Sequence, residues 1–109
     1  MRKSEINFKV ELDDNRIPER ISWDATENPN EGINETRGIS LSVWDHYHKG
    51  LLGINLWTKD MPVDEMKIFF HQTLVAMADT FKRATDDEKM SDTMKDFCDY
   101  FAEKLELTK

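Results

Sequence analysis

The chain has 109 residues, an apolar fraction of 39%, a charged fraction of 34% and a net charge of −7. That is the size of one domain, and three Trp, six Phe and regular apolar spacing set it apart from a disordered composition. Lys and Arg are scattered among acids, which argues against nucleic acid and against an anionic membrane surface as partners.

Cys98 is the only cysteine, so no intrachain disulfide can form and a reducing compartment is the natural setting. The opening Met1-Arg2-Lys3-Ser4-Glu5 runs straight into an alternating polar segment without the apolar stretch of a signal peptide. No run approaches the roughly 20 apolar residues of a membrane span. The expectation is a cytoplasmic protein with no direct membrane insertion.

In chain order, Ile6, Phe8, Val10 and Leu12 alternate with Asn7, Lys9 and Glu11, the pattern of a half-buried strand. Asp13-Asp14-Asn15-Arg16 is turn chemistry. With Asp14-Asn15 at its centre, Ile17, Ile21 and Trp23 fall opposite Leu12, Phe8 and Ile6, and Pro18 puts the second strand at an edge. Asp24 to Arg37, with Asn28-Pro29-Asn30-Glu31-Gly32, reads as a long loop, functional or a plain surface connection. Its Asn34-Glu35-Thr36 matches a glycosylation sequon, which carries little meaning without a secretory signal.

A second hairpin follows. Ile39, Leu41 and Val43 alternate with Ser40, Ser42 and Trp44, and Leu52, Ile54 and Leu56 alternate with Gly53, Asn55 and Trp57. Lys49-Gly50 is a plausible two-residue turn, which sets Val43 opposite Leu56 and brings Trp44 and Trp57 diagonally together on the other face. The period then changes to 3.6. Pro62 to Ala84 is one helix with the stripe Val63, Met66, Phe70, Leu74, Met77 and Phe81. Thr85-Asp86-Asp87-Glu88 has capping-box spacing and opens a second, acidic helix with the stripe Met90, Met94, Phe97, Phe101 and Leu105. The fold class is α+β: a single domain over residues 1–109. Two hairpins make a four-stranded antiparallel sheet in two layers, with both C-terminal helices on one face.

Chemistry is harder to find. Asp45-His46-Tyr47-His48 offers too few ligands for zinc, and solvated histidines near a turn are the plainer reading. Cys98 with His71 would need an activated thiol, yet Cys98 adjoins the apolar stripe of the second helix. The acids Asp13, Asp14, Asp24, Glu27 and Glu31 lack calcium-loop spacing. No catalytic, cofactor-binding or metal residue is assigned, and the expectation is a protein that is not an enzyme. What stands out is the pair Trp44 and Trp57 with Ser42 and Asn55 on the face away from the helices. Two adjacent indoles would expose roughly 300–400 Å². They mark a surface for a protein partner or for a second copy of the chain. The competing reading folds the long loop or the N-terminus over them.

Three blocks carry a family resemblance: Met1-Arg2-Lys3-Ser4-Glu5-Ile6 leading to Val10-Glu11-Leu12-Asp13; Trp23-Asp24-Ala25-Thr26 with Asn28-Pro29-Asn30-Glu31-Gly32; and Leu56-Trp57-Thr58-Lys59-Asp60-Met61-Pro62-Val63-Asp64-Glu65-Met66. Together the sequence resembles the gliding motility protein GldC family of the Bacteroidetes over nearly its whole length. The resemblance implies a soluble cytoplasmic accessory of the gliding machinery, which is associated with type IX secretion, and a protein partner in that apparatus. It supplies no catalytic motif. An adaptor with one defined partner is the first expectation. The alternative is a holdase, since an acidic chain of four strands then two helices looks like the export chaperone SecB.

Overall fold

A computed structural model describes residues 2–28 and 34–107. They form two compact units, Met1–Met61 and Pro62–Lys109. The first unit holds five strands: β1 (Ile6–Leu12), β2 (Pro18–Ala25), β3 (Asn34–Thr36), β4 (Gly38–Asp45) and β5 (Gly50–Trp57). The second holds two helices, α1 (Val63–Thr85) and α2 (Glu88–Lys104). The α+β class and the two C-terminal helices are as the sequence indicates. The sheet differs: β1-β2-β3 form one antiparallel sheet and β4-β5 another, rather than two hairpins joined in one four-stranded sheet.

Alternation sets both hairpins, and their turns set the register. Asp13 closes the first turn: its Oδ1 accepts from the N–H groups of Asn15 and Ile17 at 2.8 and 3.0 Å, and its own N–H donates to the Ile17 carbonyl. Three residues, Asp14 to Arg16, thus lie between Asp13 and Ile17, with Arg16 left-handed (φ 62°). Phe8 faces Trp23 and Val10 faces Ile21, a register two residues from the one expected, and an irregularity at Glu11/Leu12 lets Leu12 meet Pro18. A shift of two keeps every side chain on its expected face, because the pleat repeats every two residues.

Strand β2 is central, contrary to the expectation from Pro18. Pro18 is the strand's first residue, where a missing N–H disturbs no ladder. The neighbour that covers β2 is β3, drawn from the stretch expected to be loop; Ile21 pairs with Thr36 and Trp23 with Asn34. Asn34-Glu35-Thr36 has no apolar pattern to announce a strand. Main-chain pairing holds it, with an ion pair between Arg20 Nη2 and Glu35 Oε1 at 2.6 Å. Sandwiched so, Ile21 is fully buried and Ser22 on the opposite face is nearly so. Residues 29–33 of the expected loop lie outside the described residues.

Only Arg37 separates β3 from β4, and its carbonyl accepts from the Thr58 N–H at 2.8 Å. The chain therefore passes directly from one sheet into the other. Lys59 ties β5 back to the first hairpin, its N–H donating to the Pro18 carbonyl and its Nζ 3.2 Å from Asp13 Oδ2.

In the helical unit, Pro62 precedes the first turn of α1, and Asp64 and Glu65 sit at the positive end of its dipole. Asp86 ends α1 in the left-handed conformation. The cap of α2 is Asp87, whose Oδ1 accepts the Met90 N–H at 3.0 Å; Thr85, expected to open a capping box, is the last residue of α1 and bonds the Phe81 carbonyl. The helices meet through small residues. Ala78, Ser91, Cys98 and Ala102 are buried, and Ser91 Oγ donates to the Ala78 carbonyl at 2.9 Å. The seam on α2 thus runs one position from the expected stripe, turning Met90 and Phe97 outward while Met94, Phe101 and Leu105 stay half-buried. Small side chains let the backbones approach closely, and that closeness selects the face.

Candidate functional site

The hairpin β4–β5 pairs Ile39 with Leu56, Leu41 with Ile54 and Val43 with Leu52 on one face. Its other face carries Ser40, Ser42 and Trp44 on β4, with Leu51, Gly53, Asn55 and Trp57 on β5. Asp45 builds the turn. Its carbonyl accepts the Lys49 N–H, and its Oδ1 accepts the N–H groups of Tyr47 and His48 at 3.0 and 3.3 Å. A four-residue loop, His46 to Lys49, replaces the expected Lys49-Gly50 turn; the left-handed residue is Lys49 (φ 55°).

The longer loop moves the register by four residues. Faces are preserved, but neighbours are not. Trp44 now lies opposite Leu51 and Trp57 opposite Gly38, so the indoles share a face at its two ends, roughly 20 Å apart. The expected side-by-side aromatic patch is corrected to a long shallow surface with an indole at each end. Both are open to solvent, Trp44 63% and Trp57 53% exposed. Between them Ser40 Oγ donates to Asn55 Oδ1 at 2.8 Å, and Ser42 faces Gly53. The four residues singled out from sequence thus share one face, without the two tryptophans touching.

Two features of this hairpin escaped the sequence reading. Val43, Leu52 and Ile54, on the face expected to be covered, are also exposed. And neither Gly38–Trp44 nor Gly50–Trp57 holds a single ionisable side chain, in a chain 34% charged. That gap in the charge pattern was readable from the sequence. Exposed apolar side chains thus stand on both faces of the strand pair, and contiguous exposed apolar surface marks a candidate contact site.

The remaining candidates settle into local structure. His48 Nδ1 lies 2.7 Å from Asp45 Oδ2, and that contact, followed by the turn N–H groups, holds the Asp45 carboxyl below the usual carboxylate range. His46 packs its ring against Tyr47. Among the described residues no three His, Cys, Asp or Glu side chains converge on a metal position. Burial, followed by the charge of Asp99, pushes the Cys98 thiol up, the reverse of nucleophile activation, while His71 stacks on Phe101. Asp13 serves its turn, Asp14, Asp24 and Glu27 are exposed, and Glu31 lies outside the described residues. The Asn34 side-chain amide nitrogen is buried, so the sequon does not present it to solvent. Among the described residues no helix is long and apolar enough to cross a membrane.

No curated protein and no solved structure matches the chain. A family model does, over residues 18–107, described as gliding motility-associated protein GldC-like. The matched span includes the Trp23–Thr26 and Leu56–Met66 blocks and leaves out Met1–Asp13. With most of its length matched, the chain belongs to the GldC-like family of gliding motility-associated proteins.

Proposed function

We propose that this member of the family is a non-enzymatic cytoplasmic accessory of Bacteroidetes gliding, an adaptor that docks one protein of the gliding or secretion apparatus. The observation that carries the reading is the β4–β5 face, where Trp44 and Trp57 stand exposed on the uncharged stretches Gly38–Trp44 and Gly50–Trp57. Trp is enriched among residues that dominate binding energy, and charges are depleted at the centre of protein interfaces. Ser42 and Asn55 lie between the indoles and offer hydrogen bonds to the docked chain.

Replacing Trp44 and Trp57 together with Ser leaves the fold intact, because both indoles face solvent, and abolishes capture of one saturable partner from a gliding-cell lysate. A double variant that captures the same protein with the parent's affinity removes the adaptor reading. The second reading, a SecB-like holdase, is favoured by one observation, the aliphatic exposure of Val43, Leu52 and Ile54 on the opposite face. A holdase suppresses aggregation of unrelated unfolded proteins at stoichiometric ratios; an adaptor does not.

A further inference from the structure

We propose that the outer edge of β4 pairs antiparallel with the same strand of a second copy, about a two-fold axis through Leu41, joining two hairpins into a four-stranded sheet. The inference deepens the contact-surface reading and rests on it. Among the described residues β4 is paired with β5 alone, and an isolated two-stranded hairpin is marginal in water, whereas three or more strands are not. Natural edge strands are blunted by Lys, Pro or inward-pointing charge. From Gly38 to Trp44, β4 has none of these.

The hydrogen-bond phase of the hairpin fits. Thr58 N–H donates to the Arg37 carbonyl, so odd-numbered residues of β4 turn their main-chain groups toward β5 and even-numbered ones turn theirs to the open edge. Gly38 shows that direction, since the Thr36 hydroxyl bonds both its N–H and its carbonyl. Ser40, Ser42 and Trp44 keep theirs aimed outward. With the axis at Leu41, Ser40 faces the second copy's Ser42 and the reverse, a pair of residues that exchange main-chain bonds on each side of the axis.

Side chains and charges point to a second copy rather than a foreign strand. In this register Arg37 falls opposite the second copy's Asp45, so no like charges are brought together at either end of the strand pair. The second copy's Trp44 falls opposite Gly38, which has no side chain, and two strands from Trp57. That is about 10 Å between main chains, a gap two indoles can bridge across a glycine. The tryptophans that one chain holds apart are thereby brought together between two chains. Copies with a net charge of −7 repel elsewhere, and this uncharged strip is where they can approach.

The test uses the whole chain with Leu41→Cys and, separately, Val43→Cys, oxidised with diamide. Cys98 is buried and stays out of the reaction. At the axis two Leu41 positions are about 4.5 Å apart, within disulfide range, whereas two Val43 positions are about 13 Å apart, beyond it. The expected result is a dimer by light scattering for the parent, a covalent dimer for L41C and none for V43C. Ser42→Pro removes an outward N–H, is expected to retain the parent's circular dichroism, and is expected to shift the protein to monomer. A monomer at every concentration overturns the proposal, whether the strip is then covered by the chain's own helices or only by a different protein. A dimer in which L41C fails to cross-link overturns it as well. These measurements use pure protein, so loss of cross-linking with partner capture intact removes only the pair, and the converse removes only the adaptor.

Discussion

Asp13 and Asp45 perform the same task in the two hairpins, each folding a carboxylate back onto the N–H groups of its own turn. Both carboxyls are held below the usual carboxylate range, Asp13 by the Ile17 N–H first and Asp45 by the His48 side chain first. A carboxyl whose pKa is lower folded than unfolded stabilises the fold fully above the unfolded value. That contribution disappears as pH falls through the folded value. Urea midpoints should therefore drop as the solution is taken below about pH 4. The double variant D13N/D45N keeps acceptors that cannot ionise, so its midpoint should depend less steeply on acid pH. A slope identical to the parent's would show that the turns do not use these charges.

At the scale of elements, β2 and the helix seam are where packing is tight. Ile21→Ala empties a fully buried site and should cost about 2–5 kcal/mol, measured by urea unfolding. Ala78→Leu overfills a fully buried position between the helices, at about 1–3 kcal/mol. Met90→Ala, on the exposed side of α2, should change stability by less than about 0.5 kcal/mol. Costs in the opposite order would mean that the seam is misplaced. The sequence made the strands, their faces and the helix spans legible because periodicity is local. It did not reveal β3, which has no apolar pattern, nor the α2 seam, where small residues outrank Phe and Met. Turn length was also hidden, since Asp45 closes a four-residue loop that composition alone does not distinguish from a two-residue turn. That error left Trp44 and Trp57 on the right face and put them in contact when they stand at opposite ends.

At the scale of the molecule, charge is distributed unevenly. Residues 86–109 hold eight acids against four Lys, while the strands of the β4–β5 hairpin hold no charge up to Asp45. A uniformly charged surface would favour solubility and nothing more; an uncharged apolar strip within an acidic chain gives up solubility for contact. The family to which the chain belongs is associated with gliding motility. The most direct measurement is colony spreading of a gliding strain whose chromosomal copy carries W44S/W57S, with the protein's abundance followed by immunoblot. Spreading should be lost while abundance holds at the parent's level. A strain that spreads as the parent does, with the double variant as its only copy, would contradict the assignment of function to this surface.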